Sequence, residues 1–168
     1  MSLPLLDAEA LYARLRDGVR PLLVADSVLV GIWSGGAWLA ERLQRDLKRL
    51  GEHGVLSSRL HRDDFGSRGL AAGSDPTRLP LEVDGRPIVL IDDVLATGRT
   101  IRAAINELYD FGRPASVALA VLVDRGGREL PIEAAYAAAR VVLPSMQRLS
   151  LARGSDGALS LHVEDVPC

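Results

Sequence analysis

Residues Ile88 to Thr100 read Ile-Val-Leu-Ile-Asp-Asp-Val-Leu-Ala-Thr-Gly-Arg-Thr, and this stretch decides the fold. Its first four residues are apolar and mostly branched, which predicts a short buried strand. A helix should follow the polar loop and end near Gly112 and Pro114. Its apolar face consists of Ile101, Ala104, Ile105 and Leu108. The stretch therefore predicts a strand, a polar loop and a helix.

The same order of elements occurs earlier in the chain. Val28 to Ile32 is a branched apolar run, and Ser34-Gly35-Gly36 follows it. The next helix has its predicted apolar face at Leu39, Leu43, Leu47 and Leu50. Val55 to Leu60 and Val117 to Val123 predict further strands. Because strands alternate with helices, the pattern indicates an α/β fold with a mainly parallel, doubly wound sheet that helices cover on both faces.

Three other segments complete the predicted organisation. Asp7 can cap a helix that runs to about Val19. The leucines on either side of Gly154-Ser155-Asp156-Gly157 alternate, which predicts a β-hairpin over about residues 147–165. Residues 62–85 are rich in Gly, Pro, Ser, Asp and Arg, and they predict a long mobile loop. With 168 residues, the chain is expected to form a single domain spanning residues 1–168.

Composition narrows the classes of function. The sequence is 48% hydrophobic and 25% charged, and it lacks an apolar run of about 18 residues, which a membrane helix needs. We therefore expect a cytoplasmic protein without a membrane span. The net charge of −2 argues against non-specific binding of nucleic acid. The three histidines are too scattered to predict a metal site formed by the protein.

The polar loop after Ile91 carries the most specific chemistry. Asp92 and Asp93 are adjacent carboxylates, which repel each other unless cations or hydroxyl donors satisfy them. A sugar diol with magnesium nearby meets that need. Thr97-Gly98-Arg99-Thr100 supplies hydroxyls and backbone N–H groups at a helix N-terminus, where a phosphate binds well. A capped helix start with one solvated carboxylate is the alternative interpretation of Asp92 and Asp93.

Two common nucleotide-binding motifs do not fit this sequence. A Walker loop requires a lysine after its last glycine, and Arg99 follows Gly98 instead. The dinucleotide-binding fingerprint requires a glycine spacing that Gly31, Gly35 and Gly36 do not provide. The pair of aspartates and the loop after it therefore predict a different kind of phosphate site.

The stretch Ile88 to Thr100 resembles the thirteen-residue phosphoribosyl pyrophosphate (PRPP) motif of type I phosphoribosyltransferases. Further similarity extends over roughly Leu29 to Ile132 and indicates the PyrR family of pyrimidine operon regulators and uracil phosphoribosyltransferases. The segments that carry this similarity are Leu29–Ile32, Leu39–Leu43, Arg62–Asp64, Gly112–Pro114 and Leu119–Ile132.

The resemblance implies a type I phosphoribosyltransferase fold with a small hood, and a reaction of uracil with PRPP that yields UMP and pyrophosphate. It implies that Mg²⁺ is bound mainly through PRPP and that the protein forms a homodimer or a higher even homo-oligomer. Asp92 and Asp93 would hold the ribose hydroxyls, and Ala96 to Thr100 would bind the 5-phosphate. The implied PRPP-binding residues are Ile88, Val89, Leu90, Ile91, Asp92, Asp93, Val94, Leu95, Ala96, Thr97, Gly98, Arg99 and Thr100.

Other site residues follow from the same resemblance. Ser34, Gly35 and Gly36 occupy the position of the pyrophosphate loop. Arg62 would neutralise the departing pyrophosphate as a catalytic residue, or form a surface ion pair with a neighbouring aspartate. Arg125 would contact the base or nucleotide, or form a structural pair with Asp124.

The sequence departs from the family pattern at several positions. Ser34-Gly35-Gly36 lacks the arginine of the usual Thr-Arg-Gly, so we expect an arginine at Gly35 to raise catalytic efficiency. Ala96 replaces the usual tyrosine, and Ala137 to Arg140 replaces a Val-Gly-Lys-Asn segment. The first helix carries few basic residues, which predicts weak binding of an RNA leader transcript. A UMP-sensing RNA-binding regulator with little catalysis, and a purine or orotate phosphoribosyltransferase, remain as alternatives.

Overall fold

A parallel sheet of five strands forms the centre of the computed structural model, which describes residues 6–57, 77–79 and 82–167. The strand order is β2-β1-β3-β4-β5. The strands are β1 (Val28–Ile32), β2 (Gly54–Leu56), β3 (Pro87–Leu95), β4 (Ser116–Asp124) and β5 (Tyr136–Arg140). The helices are α1 (Ala8–Val19), α2 (Gly35–Asp46) and α3 (Arg99–Asp110), with a short 3-10 helix at Arg20–Leu22. The predicted α/β fold is confirmed.

Helices cover both faces of the sheet. Leu29, Val89 and Ile91 belong to one buried cluster with the apolar faces of α1 and α2. Val30 and Leu90 point to the opposite face and pack in a second cluster with α3. Because side chains alternate between faces along a strand, runs buried on both sides are apolar at every position, as the sequence predicted.

The predicted hairpin is also present. Its strands are β6 (Gln147–Arg153) and β7 (Leu159–Asp165), which pair antiparallel and form a separate two-stranded sheet. Leu149, Leu151 and Leu159 pack in the same cluster as α1 and α2. The hairpin begins beside the carboxyl end of β4, which is where a small hood is expected to lie over the sheet.

A network of polar groups joins α1, α2 and the hairpin. Asp7 caps α1 as predicted, since its carboxylate accepts the N–H groups of Glu9 and Ala10. Arg42 of α2 forms an ion pair with Glu9 at 2.8 Å, and Glu9 also accepts the N–H of Leu159. This shared carboxylate links the first helix to the hairpin.

Two features differ from the sequence prediction. β5 was not predicted, because its Tyr-Ala-Ala-Ala-Arg sequence is not the branched run typical of a strand. α2 ends at Asp46, and Lys48 adopts a φ of 52°, so the chain leaves the helical path and Leu50 is 98% exposed. The amide of Gln44 then binds the carbonyls of residues 49–51.

The second predicted strand and the predicted mobile loop are described only in part. β2 ends at Leu56, and the rest of the predicted Val55–Leu60 strand beyond residue 57 lies outside the described residues, as does Arg62. Residues 77–79 lie along β2, where Arg78 and Val55 exchange two backbone hydrogen bonds. The Thr77 hydroxyl donates to Glu107 of α3. Across the described parts of the chain, every helix is too short or too polar to span a membrane.

Candidate active site

Asp92 and Asp93 lie inside β3, the central strand of the sheet. Asp92 is 6% exposed and is paired with Val121 of β4. The N–H of Asp93 donates to the Asp92 carboxylate at 2.9 Å, and the N–H of Val94 donates to the Asp93 carboxylate at 2.9 Å. The interpretation of this pair as a helix cap is wrong, because β3 continues to Leu95 and α3 starts only at Arg99.

The loop that joins β3 to α3 is short and turns sharply. Gly98 has a φ of 92°, in the left-handed region that favours glycine. The Thr97 hydroxyl accepts the N–H of Arg99 at 3.2 Å. The first turn of α3 therefore faces the loop, and its backbone N–H groups and partial positive charge are available to an anion.

A segment after β4 supports this loop from behind. The carbonyl of Thr97 accepts the N–H groups of Glu129 and Leu130 at 2.9 and 3.1 Å. The guanidinium of Arg128 donates to the carbonyl of Ala96 at 2.7 Å. A side chain at Gly98 would also meet Ile132 at 3.0 Å. The loop is thus held by hydrogen bonds to residues that lie about thirty positions later.

The predicted pyrophosphate loop lies next to the aspartates. Ser34 is the N-cap residue of α2, its side chain makes no capping hydrogen bond, and the Trp33–Ser34 peptide bond is cis. A Cβ atom at Gly36 would lie 2.3 Å from the carbonyl oxygen of Ile91. The backbones of α2 and β3 therefore approach each other so closely that only glycine fits at this position.

The structure thus brings most of the predicted site residues to one edge of the sheet. Ser34 to Gly36 follow β1, and Asp92, Asp93 and the Ala96–Thr100 loop lie at the end of β3, which is the neighbouring parallel strand. Ligands of open α/β folds bind at this edge. Arg62, the remaining predicted catalytic residue, lies outside the described residues.

Arg125 is turned toward the start of the hairpin. Its guanidinium donates to the carbonyl of Gln147 at 2.7 Å and to that of Pro144 at 3.4 Å. The predicted alternative, a structural pair with Asp124, is not what the side chain forms. The Nε atom of Arg125 is buried without a hydrogen-bond partner among the described residues.

Asp124 lies at the end of β4. The sequence prediction named it only as an alternative partner of Arg125. Its carboxylate is 5% exposed and lies 2.7 Å from Arg128 and 2.8 Å from Arg140. Burial by itself would raise the pKa of Asp124, but the hydrogen bonds from Arg128 and Gly126 and the two positive charges outweigh it and lower the pKa. The spacing Asp124-x-x-x-Arg128 was the available signal, but nothing in it showed that Arg128 also reaches the phosphate loop.

The residues present are compatible with magnesium bound through a phosphorylated substrate. Mg²⁺ prefers oxygen ligands, and in nucleotide sites one or two carboxylates hold it together with substrate phosphates and water. Asp92 and Asp93 supply such carboxylates beside the phosphate loop. Within residues 6–57, 77–79 and 82–167, no three metal-ligating side chains gather into a closed site.

Comparison with known proteins identifies the family. The family model described as "Phosphoribosyl transferase domain" matches residues 9–142. The bifunctional protein PyrR of Ralstonia nicotianae is 54% identical over 157 residues, which cover 91% of this chain and 90% of that protein. The bifunctional protein PyrR of Nitrosococcus oceani is 47% identical and covers 77% of this chain and 76% of its own.

Solved structures agree on the fold. The HGPRT-ase from Leishmania tarentolae in complex with GMP has a TM-score of 0.60 at 18% identity, covering 85% of this chain and 84% of its own. The hypoxanthine phosphoribosyltransferase from Trypanosoma cruzi has a TM-score of 0.58 at 20% identity, covering 81% and 79%. These likenesses confirm the type I phosphoribosyltransferase fold, and the matched family model together with the close relatives shows that the chain belongs to the PyrR family of the phosphoribosyltransferases.

Proposed function

We propose that the protein transfers the phosphoribosyl group of PRPP to uracil and thereby forms UMP and pyrophosphate. The observation that carries this proposal is the arrangement along β3 and its loop. Two adjacent carboxylates, Asp92 and Asp93, are separated by only a few residues from a helix N-terminus with a left-handed Gly98. A sugar diol and a 5-phosphate on one ribose match these two features.

The reaction needs the ribose to be held while positive charge develops at its anomeric carbon. Asp92 is buried and fixed by its backbone contact with Asp93, so the carboxylates are oriented before substrate binds. The carboxylate oxygens accept hydrogen bonds from the ribose hydroxyls. Their negative charge stabilises the positive charge of an oxocarbenium-like transition state. The 5-phosphate, bound at the Ala96–Thr100 loop, anchors the other end of the sugar.

The leaving pyrophosphate would lie against the start of α2. Ser34, Gly35 and Gly36 present backbone N–H groups there, and the magnesium that PRPP brings would neutralise part of the departing charge. Arg62 is proposed to contribute a further positive charge.

Uracil is proposed as the base because relatives named bifunctional protein PyrR are up to 54% identical to this chain. The HGPRT-ase in complex with GMP shares only the fold, at 18% identity. Arg125 stays the proposed contact to the base because of the family resemblance. Its guanidinium donates to the carbonyls of Gln147 and Pro144, so the same side chain would join the base to the start of the hairpin.

A product assay tests this function. The purified protein is incubated with PRPP and Mg²⁺ and with uracil, hypoxanthine, guanine or orotate in separate reactions, and the nucleotides are separated. We expect UMP from uracil and no product from the other bases. IMP, GMP or orotidylate as the main product would overturn the assignment of the base, and the absence of any product would overturn the reaction.

The word "bifunctional" in the relatives' names favours a second function in addition to catalysis. We propose that the protein also binds a pyrimidine leader transcript and attenuates transcription, as a cytoplasmic homo-oligomer of even order. An RNA-binding regulator with little catalysis is less well supported, because the aspartate pair and the phosphate loop are both in place.

A further inference from the structure

We infer that Arg128 is a positioning residue that orients the backbone of the 5-phosphate loop through the carbonyl of Ala96. This inference rests on the proposed function only in naming PRPP as the ligand of the loop. The orientation of the loop is a property of the protein alone and can be measured without a ligand.

The guanidinium of Arg128 spans two elements that are far apart in sequence. One of its amino groups donates to the Ala96 carbonyl, and the other donates to the carboxylate of Asp124, both at 2.7 Å. The side chain is 26% exposed, and Asp124 is 5% exposed, so the bridge is largely shielded from water. A planar guanidinium can donate in two fixed directions, which a lysine ammonium does not reproduce.

The geometry of the peptide bond explains what this bridge achieves. A trans peptide is planar, and its C=O and N–H groups point in opposite directions. A donor that fixes the Ala96 carbonyl therefore aims the N–H of Thr97 away from Arg128. The N–H groups of Glu129 and Leu130 do the same for the next peptide, because they bind the Thr97 carbonyl and so aim the N–H of Gly98 away from them.

Two successive N–H groups of the loop thus face away from the supporting segment. A phosphate placed against this side of the loop would accept both groups. A charged donor on the Ala96 carbonyl also polarises the peptide and strengthens its N–H as a donor. Removal of Arg128 should therefore weaken phosphate binding although Arg128 lies behind the loop.

Arg140 provides a matched control within the same cluster. It binds the same Oδ2 atom of Asp124, at 2.8 Å, and its side chain is 60% exposed. Of the two arginines, Arg128 is the one that also donates to the loop. Arg128→Gln and Arg140→Gln each remove one positive charge from Asp124, but only the first releases Ala96.

The experiment combines backbone exchange with kinetics. Amide hydrogen exchange is measured in the ligand-free protein for Glu129 and Leu130, whose N–H groups bind the Thr97 carbonyl and are freed when the loop moves. KM is measured for PRPP and for uracil. For Arg128→Gln we expect faster exchange at both amides and a KM for PRPP raised about tenfold or more, as the loss of a charged hydrogen bond implies. The KM for uracil should change little, because the base is not proposed to contact this loop. Arg140→Gln should leave exchange and both KM values near those of the unmodified protein, and Arg128→Lys should be intermediate.

Equal effects of Arg128→Gln and Arg140→Gln would overturn the inference, because both would then act through Asp124 alone. Unchanged exchange at Glu129 and Leu130 in Arg128→Gln would also overturn it. If Arg128→Gln does not fold, Arg128→Lys gives the same comparison with Arg140→Gln. Failure of the unmodified protein to use PRPP would contradict the proposed function, while the exchange measurement would still decide the role of Arg128.

Discussion

Gly35 lies directly against the carboxylate of Asp93. A Cβ atom at Gly35 would lie 2.5 Å from Oδ2, 2.7 Å from Cγ and 2.9 Å from the Cβ atom of Asp93. Distances this short are far inside van der Waals contact, so a side chain at position 35 would force the Asp93 side chain to move. A change in the proposed pyrophosphate loop at Gly35 would therefore move Asp93 of the proposed diol site.

This contact reverses the expectation drawn from the sequence for position 35. Any side chain there, including arginine, must displace Asp93 before it can reach pyrophosphate. We expect Gly35→Ala and Gly35→Arg to lower the affinity for PRPP by about tenfold or more, since a misplaced carboxylate loses charged hydrogen bonds to the ribose. Calorimetric titration of folded variants with PRPP and Mg²⁺ measures this.

A double mutant separates displacement of Asp93 from a general disturbance of α2. In an Asp93→Ala background the ribose contact is already lost, so adding Gly35→Ala should change PRPP affinity little. A further loss of similar size in the double mutant would show that Gly35→Ala acts elsewhere. Higher affinity or efficiency in Gly35→Arg would support the original expectation instead.

Replacement of both aspartates by asparagine should abolish PRPP binding while the fold is kept. Asparagine has nearly the same size as aspartate, but it lacks the charge that strengthens the hydrogen bonds to the ribose diol. Calorimetry with PRPP and Mg²⁺ gives the affinity, and thermal unfolding verifies the fold. Unchanged affinity in a folded Asp92→Asn, Asp93→Asn protein would remove the basis of the proposed function.

The sequence predicted the parts of the site that are continuous in the chain. The position of the aspartate pair next to the Ala96–Thr100 loop could be predicted because a strand, two carboxylates and a glycine turn are adjacent between Ile88 and Thr100. The hairpin could be found because leucines alternate around a turn.

Contacts between distant segments could not be predicted in this way. The bridge from Arg128 to Ala96 joins residues 32 positions apart, and no local pattern encodes it. The lack of space for a side chain between Gly35 and Asp93 depends on how closely α2 approaches β3. β5 was missed because alanines lack the branched side chains typical of strands, and α1 covers it instead.

Binding of a pyrimidine leader transcript should be weak at low salt and nearly abolished at moderate salt. The net charge is −2, and the predicted first helix, now observed as α1, carries only Arg14 and Arg16 as basic residues. Affinity for RNA comes largely from neutralised phosphates, so few basic residues imply few such contacts. Gel shifts with and without UMP at low and moderate salt measure this. Tight, UMP-dependent binding at physiological salt would place the regulatory function ahead of catalysis.

The last prediction concerns the pH dependence of stability that Asp124 contributes. Hydrogen bonds from Arg128 and Gly126 and two neighbouring positive charges lower the pKa of Asp124 below its ordinary value of 3.8, against the opposing effect of burial. A carboxylate with a lowered pKa in the folded state stabilises the fold at every pH above its ordinary value. This stabilisation is lost as the pH falls through the lower, folded-state pKa, because protonation then removes the charge that both arginines bind.

We therefore expect Asp124→Asn to lower the free energy of unfolding by about 1.5 to 3 kcal/mol near neutral pH, the range for hydrogen bonds to a charged group. The difference from the unmodified protein should shrink as the pH falls below 3.8. Urea unfolding at a series of pH values measures both quantities, and Glu52→Gln, at an exposed position, serves as the control with little effect. A difference that stays constant down to acid pH would mean that Asp124 stabilises the protein through packing, because a contribution from its charge must disappear when the carboxylate is protonated.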